Sequence, residues 1–327
     1  MHALVSTRKG LFELSRSQNV WSVGKIHFLG DPITMTLHDP RDGTTYAALN
    51  LGHFGVKLHR RDSGAGSWTE IAVPTYPQQP EGCTDEHAWK LVQIWSMACG
   101  GADEPGVLWA GTLPGGLFRS NDRGDSWELV RSLWDQPSRP EWQGGGYDTP
   151  GLHSICVDPR DSKHILVAIS SGGVWITRDG GASWTASTKG MRATYMPEER
   201  MEDPFVQDPH RIVQSPSSPD VYWCQHHCGI WHSIDGGAHW NQCKPEGRAP
   251  AISVLWWQRI RIKRTQLGSC RRLVTRGASR SMPPCRSRVP GMAAKLSNPC
   301  AAACRKSSVT TWSTATASTW PTMAKRS

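Results

Sequence analysis

One turn motif recurs at a nearly fixed interval, and it limits the possible folds more than any other feature of the chain. Ser/Thr-x-Asp-x-Gly-x-x-Trp occurs as SNDRGDSW (Ser120 to Trp127), TRDGGASW (Thr177 to Trp184) and SIDGGAHW (Ser233 to Trp240). Its aspartates, Asp122, Asp179 and Asp235, are spaced almost evenly along the chain. A degraded copy, RDSGAGSW, places Asp62 slightly more than one such interval before Asp122, with Trp68 one position late. Short apolar runs precede the copies: FGVKLHR at 54–60, GGLFRS at 115–120, GGVWIT at 172–177 and CGIWHS at 228–233. KGLFEL at 9–14 reads as the same strand without its turn. A second turn signal lies upstream of several copies, as DPRDG at 39–43, DPRDS at 158–162 and SPSSPD at 215–220.

Repetition at a fixed period implies one supersecondary unit per repeat. Each unit reads as strand, Asp-Pro turn, strand, Gly-Gly, strand, Asp turn, and a last strand ending in Trp. A four-stranded antiparallel sheet cannot bury both faces alone, so neighbours must stack. Radial stacking gives a β-propeller, and the expected fold is an all-β propeller of four-stranded blades. An unbroken frame is expected to make seven blades, with six as the alternative. Within each turn, Asp accepts hydrogen bonds from backbone N–H groups, and the following Gly tolerates positive φ. Trp is expected to enter the core between sheets. Asp122, Gly124, Trp127, Asp179, Gly181, Trp184, Asp235, Gly237 and Trp240 therefore read as structural residues on the outer rim, away from the axis.

Composition agrees. Thirty-two Gly, 23 Pro and 17 Trp suit short strands and tight turns. No stretch approaches the ~18 to 20 uninterrupted apolar residues of a spanning helix, so no membrane association is expected. The start MHALVSTRKGLFEL has no apolar run and cleavage site of the secretory kind, and the cysteines lack disulfide-framework spacing. Both favour a cytoplasmic protein with reduced thiols.

The net charge of +9 is unevenly distributed. The segment 251–327 is rich in Lys and Arg and holds none of the 28 Asp+Glu, which leaves 1–250 mildly acidic. The division expected is therefore 1–251, an incomplete propeller, and 252–327, a basic, disordered tail. The tail reads as another frame of the same gene. One base back, PGMAAKLSNP (290–299) permits Arg-Asp-Gly-Gly-Lys-Ala-Phe-Glu-Pro, and Met292 forces its first Gly. The hidden Asp falls near position 291, one further repeat interval after Asp235. Around Val254 to Arg259 the same shift permits Ala-Val-Val-Ala-Ala. Strand runs, acidic residues and repeat phase return together, which points to a frameshift near residue 252. The alternative is a genuine basic arm, which would bind phosphate backbones without specificity. Nucleic acid is a partner only on that alternative.

Ser-x-Asp-x-Gly-x-x-Trp resembles the Asp-box, or bacterial neuraminidase repeat, over roughly residues 1 to 250. STRKGLFEL, YAALNLGHFGVKLHRRD and WCQHHCGIWHSIDGGAHW are similar to bacterial sialidase-like or glycosyl-hydrolase-like repeat proteins. The resemblance implies a protein that acts on or binds a glycan. The alternative it implies is a non-catalytic scaffold for a protein partner, since this propeller hosts both. The ligand, glycan or protein, is expected at the axial face. The Arg-Ile-Pro motif that marks the first sialidase arginine is absent, and Arg8 is the arginine near the matching end of the chain.

Polar residues on inner strands and loops supply the remaining candidates. They cluster as Asn50 and His53; Asp85, Glu86 and His87; Tyr147, Asp148 and His153; Arg192, Tyr195, Glu198 and Glu199; and His210, Arg211, His226 and His227. The catalytic candidates are Asp148, His153, Glu198, His210, His226 and His227. Inner strands converge, so these could form a His/carboxylate site at the axial mouth. Glycoside hydrolysis needs two carboxylates about 5 to 10 Å apart. The plain alternative is that they hydrogen-bond turns and strand ends. CQHHC (Cys224 to Cys228) is a poor zinc motif, because alternate strand residues point to opposite faces and a second pair is missing. No cofactor or metal site is expected. The long segments 136–151 and 190–211 interrupt the repeat, and Trp142 in the first is a candidate platform for a sugar ring.

Overall fold

The computed structural model describes residues 2–18, 20–83, 85–144 and 147–243. The expected tail, 252–327, lies outside the described residues, as does the proposed frame junction. The regular elements of the described residues are almost all strands. The first sheet joins β1 (His2–Thr7), β2 (Gly10–Ser17) and β3 (Val20–His27). The second joins β4 (Ile33–His38), β5 (Thr45–Asn50), β6 (Val56–Arg61) and β7 (Thr69–Ile71). The third joins β8 (Gln93–Cys99), β9 (Leu108–Leu113), β10 (Leu117–Ser120) and β11 (Glu128–Leu129). The fourth joins β12 (Leu152–Asp158), β13 (Asp161–Ile169), β14 (Gly173–Thr177) and β15 (Thr185–Ala186). The fifth joins β16 (Pro209–Ser215), β17 (Ser218–His226), β18 (Gly229–Ser233) and β19 (Asn241–Gln242). All pairings are antiparallel and follow chain order, as a meander.

The sheets stack face to face, and the second strands show why. Along β5, Tyr46 and Ala48 enter the core between the second and third sheets, while Ala47 and Leu49 enter the core on the other side. Along β13, Ile165, Val167 and Ile169 face the third sheet's Trp109 and Leu117. Leu166 and Ala168 face the fifth sheet's Tyr222 and Trp231. Side chains alternate across a strand, so a strand buried on both faces must read as a continuous apolar run. The first strands β4, β8, β12 and β16 touch one another in order, which places them on the inside of the arc. The fold is a partial β-propeller.

The first sheet is the exception. Gly10–Leu11–Phe12 matches Gly116–Leu117–Phe118 and Gly229–Ile230–Trp231 in repeat phase, so β2 is a third strand and β1 a second strand. The sheet has no first strand among the described residues. Its Leu11 side packs on Ile33, Ala47 and Leu49 of the second sheet. The opposite side carries Phe12, Leu14 and their cross-strand partners Ile26 and Val23, with Trp21 beside them. Val23 is 60% exposed and Trp21 45%.

The repeated turns share one geometry. Ser120 Oγ donates to Asp122 Oδ1 (2.8 Å) and accepts from the Gly124 N–H (2.8 Å). Thr177 and Ser233 repeat this with Asp179 and Gly181, and with Asp235 and Gly237, at 2.7 and 3.0 Å. Each Asp also accepts the N–H four residues on, from Ser126, Ser183 and His239. Gly124, Gly181 and Gly237 have φ of 89°, 95° and 91°, the left-handed region that glycine adopts without strain. The Trp184 and Trp240 rings are buried, and Trp240 Nε1 donates to the Ser187 carbonyl at 2.7 Å. Trp127 is half-buried and donates to Ala72 O at 3.1 Å.

The Asp-Pro-Arg turns form a second repeated device. Asp39 accepts from the Arg41 N–H (2.9 Å) and holds its guanidinium (2.6 Å). Arg41 then donates to the Gly101, Glu104 and Val107 carbonyls of the third sheet's turn. Asp158 holds Arg160 in the same way, and Arg160 reaches Asp220 of the fifth sheet at 2.6 Å. Each arginine thus ties one sheet's first turn to the next sheet.

Candidate functional site

The fourth and fifth sheets bring candidate residues together where their first strands begin. β16 opens with Pro209, His210 and Arg211, directly after Asp208. The β17–β18 turn carries His227 and Cys228 to the same end. The β13–β14 turn adds Ser171, a non-glycine at φ 42°. Asp208 sits among these three elements. Its Oδ2 accepts from His210 Nε2 (3.2 Å) and faces His227 Nδ1 (3.4 Å). Its Oδ1 accepts from the Ser171 N–H at 3.2 Å. The Asp208 side chain is 5% exposed, against 33% for His210 and 57% for His227. The site is therefore closed on the protein side and open to solvent through its imidazoles.

Asp208 is a fixed anion. Burial pushes its pKa up, but the His210 hydrogen bond, the nearby histidines and the Ser171 N–H outweigh burial and leave it below the ordinary carboxylate value. Such a group can bind a cation, accept from sugar hydroxyls or take up a proton, but it is no proton donor at neutral pH. Tyr195 packs edge-on against His227 with ring centroids 5.1 Å apart, and its hydroxyl donates to the Val206 carbonyl. Burial and the Asp208 charge push its phenol pKa up, so it stays protonated.

Two candidates support this site from behind. His226 is buried, and its ring nitrogens face the N–H groups of Asp208 and Cys228, each at 3.0 Å. A neutral ring accepts from one of them at a time. Burial holds His226 neutral, with a pKa lowered to about 4. His153, on β12, is 4% exposed, and its Nδ1 lies 2.9 Å from Ser154 Oγ. Burial first, then Arg211 and His210, lower its pKa to about 3. Arg211 donates to the His153 carbonyl at 3.1 Å and so couples the two first strands.

The other candidates go elsewhere. Asp148 is exposed in the loop before β12, and Tyr147 stands edge-on to Trp95 at 5.3 Å. Glu198 and Glu199 are exposed on a 3-10 turn at Glu198–Arg200. Arg192 is exposed, with Nε 3.7 Å from Glu202. Asp85 is nearly buried and serves the fold: it pairs with Arg139 and accepts from Trp89 Nε1 at 2.8 Å. Glu86 is exposed and His87 half-buried, with the His87 N–H donating to Asp85. Asn50 bridges two sheets by donating to the Val92 carbonyl, and His53 is exposed beside Phe54. Trp142 is not a platform for a sugar. It is 1% exposed and packs on Trp175 in the core between the third and fourth sheets.

The CQHHC residues diverge, as their strand alternation requires. Cys224 is buried in the core, and Cys228 Sγ accepts from the Thr194 N–H and Oγ1 at 3.2 Å. Asp208 is the residue that sequence reasoning missed. QDPHR shares Asp-Pro with the turns at 39–43 and 158–162, yet here Asp-Pro leads into a first strand instead of out of one. Among the described residues, the groups able to share one metal ion are Asp208, His210 and His227, whose ligand atoms lie within 4.8 Å of one another.

Comparison with known proteins adds a partial likeness. No family model matches the chain. It is 32% identical over 80 residues to an oligoxyloglucan-reducing end-specific xyloglucanase of Emericella nidulans, covering 24% of this chain and 9% of that protein. It is 25% identical over 203 residues to a xyloglucanase of Paenibacillus sp, covering 54% of this chain and 17% of that protein. The chain thus spans a small part of the length of these curated relatives. Among solved structures it overlays an ancestral GH74 enzyme with a TM-score of 0.45 at 16% identity, covering 66% of this chain and 24% of that one.

Proposed function

We propose that this chain is a glycan-directed, glycosyl-hydrolase-like propeller of the Asp-box kind. It takes a saccharide where the first strands of the fourth and fifth sheets begin. The observation that carries the reading is the alignment over 203 residues with the Paenibacillus xyloglucanase, which runs through more than one repeat unit. The site supports it with an ionised carboxylate, two part-exposed imidazoles and the exposed ring of Tyr195. Sugars are held by charged acceptors on their hydroxyls and by aromatic faces on their C–H surfaces. With Asp208 locked as an anion, the site is suited to holding a hydroxyl or acting as a base, while a hydrolytic reaction also needs a proton donor across the bond.

The test is titration calorimetry with xyloglucan oligosaccharides and unsubstituted glucans, alongside a reducing-end assay on the same sugars. Saturable binding that weakens in Asp208→Asn and Tyr195→Ala supports the reading. A folded chain that neither binds nor cleaves any of these glucans defeats it.

A further inference from the structure

We infer that Asp208, His210 and His227 form a mononuclear site for a divalent transition metal of the zinc type, with one coordination position open to solvent. The inference requires only these three side chains and is independent of the glycan reading. Zinc binds imidazole nitrogen and carboxylate oxygen at about 2.0 to 2.2 Å, so ligand atoms at tetrahedral corners stand about 3.3 to 3.5 Å apart. Asp208 Oδ2 stands 3.2 Å from His210 Nε2 and 3.4 Å from His227 Nδ1, and the whole set fits within 4.8 Å. Two edges of the ligand triangle already have the right length. The two imidazoles stand nearly perpendicular, at 89° with centroids 5.7 Å apart, so they flank the carboxylate without stacking on each other.

The surroundings fit as well. Metal-binding carboxylates are oriented by a hydrogen bond to the oxygen that does not ligate. Asp208 Oδ1 accepts that bond from the Ser171 N–H, and Ser171 holds the left-handed conformation that non-glycine residues rarely adopt. The imidazoles reach solvent and the carboxylate does not. A fourth ligand therefore arrives from outside, as a water or an alcohol oxygen. Two imidazoles and a carboxylate are the donor set favoured by zinc and its neighbours over calcium or magnesium. The thiols of CQHHC take no part, since Cys224 is in the core and Cys228 is engaged by Thr194.

The experiment is titration of the full chain with Co2+, followed by absorption spectroscopy, and then competition with Zn2+. One equivalent is expected, with ligand-field bands of nitrogen and oxygen ligation, no thiolate charge-transfer band, and displacement by Zn2+. Affinity should rise with pH, because bound imidazoles must lose their protons. His210→Gln, His227→Gln and Asp208→Asn should each weaken binding by about tenfold or more. His227 is half-exposed, so His227→Gln tests the site without threatening the fold, and an unchanged melting temperature verifies this. Cys243→Ser is the control, because Cys243 Sγ lies 3.3 Å from His232 Nδ1, a second place where an ion could lodge. Absence of binding by the folded chain overturns the inference. So does binding that persists in the His210→Gln/His227→Gln double variant, or a thiolate band that disappears in Cys243→Ser.

Discussion

Ser120, Thr177 and Ser233 each use one oxygen twice, giving a proton to the turn aspartate and taking the glycine N–H. Removing that oxygen strands a buried donor, and an unsatisfied buried group costs about 1 to 3 kcal/mol. Ser233→Ala should lose that much in denaturant unfolding, because Ser233 is fully buried. A loss below a few tenths would show that water replaces the hydroxyl. Histidines supply the pH dependence. His153 and His226 stay neutral in the folded protein down to about 3 and about 4, against an ordinary value of 6.5. Between pH 6.5 and 4 the unfolded chain binds protons that the folded chain refuses, so stability falls as pH falls. Each group contributes about 1.4 kcal/mol per pH unit in that window. His153→Gln should remove about one proton's worth of slope from the dependence of unfolding free energy on pH. An unchanged slope would mean that the ring is protonated in the fold.

At the scale of elements, the third strands and rim turns of the third, fourth and fifth sheets were readable because they carry fixed residues in a fixed phase: Gly two before an aromatic, then Asp, Gly and Trp. Fourth strands were placed too early: each was expected to end at the Trp, but β11, β15 and β19 begin one residue after Trp127, Trp184 and Trp240 and are too short to show any periodicity. Tyr76 was missed altogether. It comes from a stretch without regular structure between β7 and β8, yet it is buried, and its hydroxyl meets Thr112 at 2.6 Å and the Gly116 N–H. No local pattern encodes a contact between residues so far apart in sequence. The site was half legible for a related reason. Histidines stood out by type, but Asp208 took its meaning from the β13–β14 turn that folds over it. The Asp-Pro-Arg turns were readable as turns, while their partners in the next sheet were not. Arg41 is mostly buried and serves three carbonyls there, so Arg41→Ala takes the guanidinium charge from buried Asp39 and one of two hydrogen bonds from each carbonyl, while the backbone N–H groups of residue 41, Gly100, Glu104 and Val107 stay in place. A loss of about 2 to 3 kcal/mol is expected, the part-exposed setting reducing the figure for a fully buried pair. Arg160 is half-exposed, and Arg160→Ala should cost clearly less. Equal losses at the two positions, measured by urea unfolding, would refute the argument from burial.

For the molecule as a whole, the uncovered face of the first sheet is decisive. Every other sheet interface in the arc is filled by apolar side chains from both partners. Phe12, Leu14, Val23, Ile26 and Trp21 form an apolar face of the same kind, and no described sheet packs on it. Such a face favours association, and its strand edges favour pairing with other chains. The chain as written should therefore bind hydrophobic dyes in its native state and aggregate at moderate concentration. Val23→Glu with Ile26→Lys should relieve both, at little cost in melting temperature, since neither side chain is buried. The frame one base back from residue 252 bears on the same face. It permits an Asp-Gly-Gly turn one period after Asp235, which is the signature of a further sheet. A propeller that closes would seat its last sheet on Trp21 and give β1 a first strand to pair with. A chain translated in that frame should lose dye binding, shift Trp21 fluorescence to the blue and melt in one cooperative step. Sequencing the source gene across codons 250 to 253 tests the premise separately: an unbroken frame there and in related genes rules out the slip, and the uncovered face must then have another partner.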